Sequence, residues 1–315
     1  MADGPTTHGT AMRTNDWLRM TLLAAIWGMS FLFLRVAAPV LGPAPTAVSR
    51  LLIGGGLLAL YVQLREGGIN LGAHWRHYAL LGMLNSGLPF LLFSFAAKSL
   101  PASYLILLNA TTPLSGALVS AITLGERLGA RQLAALACGM VGVAIVAGLG
   151  PIAIGPQELL AIAAGLCAAG CYALATIQIR RAAVRQSPNT QAAMSQIVSG
   201  ALLLPLAAAT PLPASLPPSV VLAILALGIL CSGLAYMLYF RLVVDVGPSR
   251  ALIVTFLSPP FGILWGWMLL DESITPKMLL GTALVLAGTI GSLGGAKPPQ
   301  STPPPPATRP SPASR

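Results

Sequence analysis

The sequence has little charge. Only 8% of its 315 residues are Asp, Glu, Lys or Arg, where a soluble domain carries about 25%. Eight acidic and eighteen basic side chains cannot cover a soluble globule of this length without leaving wide apolar patches, which excludes a soluble enzyme. Histidine is scarce: His8, His74 and His77 fall in the opening polar segment or the second connection, where they form no buried site. Cys138, Cys167, Cys171 and Cys231 lie inside apolar runs without paired CxxC spacing, so no metal site is expected. No phosphate-cradling loop or dinucleotide fingerprint stands in a strand-to-helix context, so ATP-driven pumping has no support and no cofactor is expected.

What the chain does have is apolar length. Hydrophobic residues make up 55% and the mean hydropathy is +0.79. Ten runs, at 17–36, 45–64, 78–97, 102–124, 132–149, 158–179, 191–210, 219–240, 249–270 and 276–294, are of about the 20 residues a helix needs to cross a hydrocarbon core. They are continuously apolar and lack the alternation of barrel strands, which predicts an all-α integral membrane protein of ten transmembrane helices. Connections are short, so any function belongs inside the bundle. The opening segment, 1–16, is polar, and the run after it is longer than a signal-peptide core, so it reads as a retained first span. The end, 295–315, is proline-rich with nothing to bury and reads as a disordered tail.

A net charge of +10 in another setting suggests nucleic acid. Here the positive residues are scattered between apolar runs, and their placement orients the chain instead. Of the eighteen Lys and Arg, only Arg35, Arg50, Lys98 and Lys277 fall on the side away from the two termini. Both termini are therefore expected in the cytoplasm, and the protein in the cytoplasmic membrane.

Sliding the sequence by 146 residues aligns spans two to five with spans seven to ten without a gap. From Tyr78 to Glu126 there are 13 identities in 49 positions, among them Gly82, Ser86 and Gly87 with Gly228, Ser232 and Gly233, and Pro113, Gly116 and Glu126 with Pro259, Gly262 and Glu272. Each unit, 17–149 and 158–294, holds five spans. An odd number makes the second unit enter the membrane from the opposite side, so these are inverted repeats, a recurring design of secondary transporters.

Trp27-Gly28-Met29-Ser30-Phe31, Arg50 at the opening of span two, and the unit endings Pro113 to Leu124-Gly125-Glu126-Arg127 and Pro259 to Leu270-Asp271-Glu272 resemble the EamA domains of the drug/metabolite transporter superfamily. Tyr172 and Gln196 stand where Trp27 and Arg50 stand in the first unit, a departure from the commoner Trp at that place. The resemblance implies a ten-helix carrier of small metabolites, often amino acids, with a central cavity lined by both halves.

Polar groups at membrane depth need a partner or a wet cavity. Asn85, Ser86, Asn109 and Thr112 in the first unit, and Gln196, Ser232, Thr255 and Ser258 in the second, are candidates to line that cavity, together with Ser30 and the aromatics Trp27, Phe90, Tyr172 and Tyr236. Hydrogen bonding between neighbouring helices suits the polar ones equally well. Arg50, Glu126 and Glu272 are candidates for an outer vestibule or a gate, and Pro113 and Pro259 for helix kinks whose freed carbonyls face solute. Gly54-Gly55-Gly56, with Gly200 opposite, reads as close helix packing. The function expected is secondary transport, in the exporting direction, of small organic metabolites. The alternatives are a lipid-carrier flippase and an intramembrane lipid-modifying enzyme, for which His74 and His77 beside Arg76 are the one acid-base cluster.

Overall fold

The computed structural model describes residues 13–67, 74–125, 128–149, 155–181, 186–251 and 253–293. The first twelve residues, the segment from 294 onward, and Glu126 with Arg127 lie outside them. The first five helices are α1 Thr14–Leu41, α2 Pro43–Arg65, α3 Trp75–Ala96, α4 in two pieces, Ala102–Asn109 and Thr112–Leu124, and α5 Ala130–Leu149. The second five are α6 Pro156–Arg181, α7 Pro188–Ala208, α8 Pro218–Val246, α9 as Pro248–Ala251 and Ile253–Leu270, and α10 Pro276–Leu293. Among the described residues eight helices are long and apolar enough to cross a membrane, while α5 and α10 carry shorter apolar stretches, Ala130–Val146 and Pro276–Gly291. The protein is an all-α, multi-pass membrane protein.

Proline sets many of the starts. Pro43, Pro156, Pro188, Pro218, Pro248 and Pro276 each open a helix, where the missing N–H is an unsatisfied donor anyway and φ is already helical. Before two of them stand Gly42 (φ 86°, ψ 161°) and Gly247 (φ 87°, ψ 157°), a backbone region open essentially to glycine alone. These turns let α1 run into α2, and α8 into α9, with almost no loop.

The repeat seen in sequence is a symmetry of the fold. A Cβ on Gly142 of α5 would strike the backbone of Gly281 on α10, and one on Gly288 of α10 would strike the backbone of Ala135 on α5. Under the 146-residue shift Gly142 becomes Gly288 and Ala135 becomes Gly281, so the second contact is the first with its partners exchanged. Cys138 Sγ donates to the carbonyl of Leu284, its own counterpart, at 3.4 Å. A pseudo-two-fold axis therefore passes between α5 and α10. As residue numbers rise on α5 their contacts fall on α10, so the pair is antiparallel, as inverted units require. Small residues along the seam let the two backbones meet, which is how helices associate where lipid supplies no hydrophobic drive.

The ends of the bundle are tied by polar contacts. At the end where α1 begins, Arg19 pairs with Asp245 of α8 at 2.7 Å, and Glu66 after α2 accepts from Asn189 of α7 at 2.7 Å and from Ser187. At the opposite end, Arg35 of α1 donates to the carbonyl of Ala97 at 3.1 Å, capping the close of α3.

Candidate functional site

Two matched stretches depart from α-helical winding. α3 opens into a π-helix at Met83–Gly87, and α8 at Ala226–Leu234, so the same part of each repeat is widened. In α3 the sequence supplies one reason: Pro89 has no N–H for the carbonyl of Asn85 four residues earlier. α8 has no proline there, and what the two stretches share is the Ser-Gly pair, Ser86-Gly87 and Ser232-Gly233. Such widened turns recur at functional sites because they turn side chains out of helical register.

Arg50 meets the second of these stretches and the turn of α3 that follows the first. It is the eighth residue of α2, roughly 10 Å into the helix at 1.5 Å per residue, and only 7% exposed. Its Nε donates to Ser232 Oγ at 2.9 Å, and its guanidinium carbon stands 3.7 Å from the centre of the Phe90 ring, a cation–π contact shielded from water. Tyr172, Tyr236 and Cys231 lie within electrostatic reach. This corrects the placement of Arg50 in an outer vestibule. The helix starts at Pro43, before the expected boundary, and Arg50 points into the bundle and not along it toward headgroups.

Around this cation the aromatic candidates converge. Trp27 of α1 makes an edge contact with Tyr236 (ring centres 6.2 Å apart) and a tilted one with Tyr239 (5.3 Å). Asn85 and Ser86 face the Tyr236 hydroxyl. Trp27, Arg50, Asn85, Ser86, Phe90, Tyr172, Ser232 and Tyr236 thus form one cluster drawn from α1, α2, α3, α6 and α8, and so from both repeats. Gln196 of α7 adjoins it. A Cβ on Gly54, one turn along α2 from Arg50, would meet Ser232 Cβ and, at 2.9 Å, Gln196 Oε1. Gln196 is fully buried with both amide atoms unpartnered.

The remaining candidates fare differently. Ser30 is buried on α1. Pro113 frees the carbonyl of Asn109, and α4 breaks just before it, but Thr112 Oγ1 donates to that carbonyl at 2.7 Å. This bond replaces the one that proline removes, and the Thr112 hydroxyl is engaged locally. Ala110, inside the break, offers its carbonyl to Thr289 of α10 at 3.0 Å. Pro259 lies within an unbroken helix, Ile253–Leu270, so the break at Pro113 has no match in α9. Ser258 Oγ donates to the carbonyl of Val254 at 2.8 Å. Asn109 and Thr255 are half-buried on α4 and α9. Tyr104 donates to the carbonyl of Val146 at 3.1 Å and serves packing.

Glu272, just after α9, reaches across the bundle. Its carboxylate accepts from the backbone N–H of Ala102 at 2.6 Å, from that of Ser103 at 3.0 Å and from Ser103 Oγ at 2.5 Å. It caps the first turn of α4, where orphan N–H groups and the helix dipole favour an anion. Arg35, Pro101, Leu270 and Glu272 line a cleft of about 380 Å³ beside it. Among the described residues no group of three His, Cys, Asp or Glu side chains is placed to hold a metal. The residue that sequence reasoning left out of the site is Ser103, partner of Glu272, whose one signal is its identity with Ser249 under the 146-residue shift.

The chain has relatives in sequence and in fold. Residues 17–148 and 159–294 each match the EamA-like transporter family. Protein PecM of Dickeya dadantii is 26% identical over 84% of this chain and 88% of its own length. The uncharacterized transporter YvbV of Bacillus subtilis is 24% identical over 87% and 90%. A probable terminal-alkyne amino-acid exporter of Streptantibioticus cattleyicolor is 25% identical over 86% and 91%. A crystal structure superposes with a TM-score of 0.62 at 21% identity, covering 89% of this chain and 97% of the other, which speaks to fold alone.

Proposed function

Since the chain belongs to the EamA-like transporter family, a family of membrane transporters of small molecules, we propose that it is a secondary transporter working as an exporter. It moves small organic metabolites such as amino acids across the cytoplasmic membrane by alternating access of its two repeats. The likeness to a probable amino-acid exporter supports that solute class, and the excess of Lys and Arg at the end holding both termini supports a cytoplasmic location for them.

The observation that carries the mechanism is the joining of α4 and α9 at the end of the bundle away from the termini: Glu272 is bonded to Ala102 and Ser103, and a Cβ on Gly262 would collide with Ile106. With the termini in the cytoplasm, this joining closes the outer side. Exchange between the two inverted halves opens it and turns the central cluster to the outside.

The test is transport by purified protein in liposomes loaded with a mixed panel of labelled amino acids and other metabolites. Protein-dependent release of at least one solute, saturable and temperature-dependent, is the expected result. Release equal to that from protein-free liposomes for every solute would refute it.

A further inference from the structure

We infer that the solute recognised by the central cluster carries a single carboxylate, which pairs with the free fork of Arg50; this rests on the transport reading above. A buried guanidinium is costly unless an anion neutralises it. Arg50 is buried, yet among the described residues the one ion pair within 4.0 Å is that of Arg19 with Asp245, at the bundle's end. The groups around Arg50 are neutral: Ser232 takes its Nε, Phe90 covers its face, and Tyr172, Tyr236 and Cys231 complete the surroundings. Its two terminal nitrogens keep donors in the planar geometry that suits a carboxylate held by two parallel hydrogen bonds. The missing anion is therefore brought by the solute.

The second repeat fixes the charge. At the place of Arg50 it has Gln196, a neutral amide, buried and without hydrogen-bond partners. The cluster thus offers one positive charge and not two, which matches a monocarboxylate and disfavours a dicarboxylate or a phosphate ester. A cationic solute would meet Arg50 with no carboxylate to offset it. The solute's organic body then lies against Trp27, Tyr236 and Tyr239, whose rings form a continuous wall. Amino-acid zwitterions and simple organic acids both present the recognised group.

The probe is a defined mixture loaded into proteoliposomes and read by mass spectrometry. It holds the twenty amino acids, the monocarboxylates benzoate, phenylacetate and pyruvate, the dicarboxylates succinate and malate, phenyl phosphate, the cations choline and phenethylamine, and the neutral solutes uridine and glucose. Wild-type protein, Arg50→Gln and Arg50→Lys are compared at equal reconstituted amounts, with folding checked by gel filtration. Wild-type release is expected to be confined to solutes with one carboxylate, with the amino-acid and simple-acid arms telling which body is preferred. Arg50→Gln should slow that release about tenfold or more, the loss expected for one charge-assisted contact. Arg50→Lys, which keeps the charge without the fork, should retain the same solute set at a lower rate. Release of cations, neutral solutes or dicarboxylates by the wild type at rates matching the monocarboxylates would overturn the inference while leaving transport intact. So would undiminished carboxylate release by a folded Arg50→Gln protein. Should Arg50→Gln fail to fold, the wild-type and Arg50→Lys solute sets still decide the matter. No release of any solute would refute the transport reading itself.

Discussion

Gln196 has no exposed surface and neither of its amide atoms has a hydrogen-bond partner. An orphaned polar group of this kind costs about 1–3 kcal/mol, so it is a weak point in the folded protein. Gln196→Met, close in length and volume, is expected to raise the melting temperature in detergent by a few degrees; a lowered one would mean that the amide has a partner. The residue also marks how far the sequence could be read. The 146-residue shift names Gln196 as the counterpart of Arg50 with no structural help. The depth of Arg50 was misjudged because the expected span began at Pro45, and two residues displace a side chain by about 3 Å along a helix. That was enough to assign it to an outer vestibule when it belongs over Phe90. The chemical types of the central cluster were legible; which of them meet was not, because convergence from α1, α2, α3, α6 and α8 depends on packing.

At the scale of elements, the ten helices were legible because each is a long apolar run, but five of the six proline starts were placed one to three residues late, because the proline opens the helix before the apolar run begins. The π-helical stretches and the break in α4 were not. Pro113 and Pro259 are matched in sequence, yet one follows a break and the other sits in a continuous helix, so the same residue acts through different tertiary surroundings. Gly116 and Gly262 turn that difference into an experiment. A methyl at Gly262 would meet Ile106 at its Cγ2 (2.8 Å) and Cβ (3.1 Å), atoms near the stem, whereas at Gly116 it meets nothing within 4 Å among the described residues. Gly262→Ala should therefore destabilise this state by about 1–3 kcal/mol, the usual cost of overpacking. Gly116→Ala should stabilise it by about 0.5–1 kcal/mol through helix propensity. If α4 and α9 exchange environments during transport, Gly116→Ala also slows turnover, because its methyl collides in the other state. Melting temperatures and release rates measured together separate the effects; identical behaviour of the two variants would remove the basis for distinguishing the two ends.

For the molecule as a whole, the pseudo-two-fold axis makes each contact at one end a template for the other. Glu272 ties α9 to Ala102 and Ser103 of α4 at the end of the bundle away from the termini, and the shift pairs Glu272 with Glu126, Ser103 with Ser249 and Ala102 with Pro248. On the alternating-access proposal, the exchanged state is expected to pair Glu126 with Ser249 and close the end that holds the termini. That latch is the weaker of the two, because Pro248 has no N–H where Ala102 has one. A hydrogen bond to a charged group is worth about 1.5–3 kcal/mol. Losing the Glu272 charge therefore shifts the balance between states by tenfold or more, and losing Glu126 shifts it the other way. Spin labels at Ser99 and Ser273, flanking the first latch, report the outcome as a distance. Glu272→Gln should lengthen and broaden it relative to wild type, while Glu126→Gln should leave the short distance dominant or sharpen it. Both variants should lower transport, since a carrier held in either state turns over slowly. Equal distance distributions in all three proteins would mean that these carboxylates cap helices without gating, and alternation would then have to rest on the packing of α4 against α9 alone.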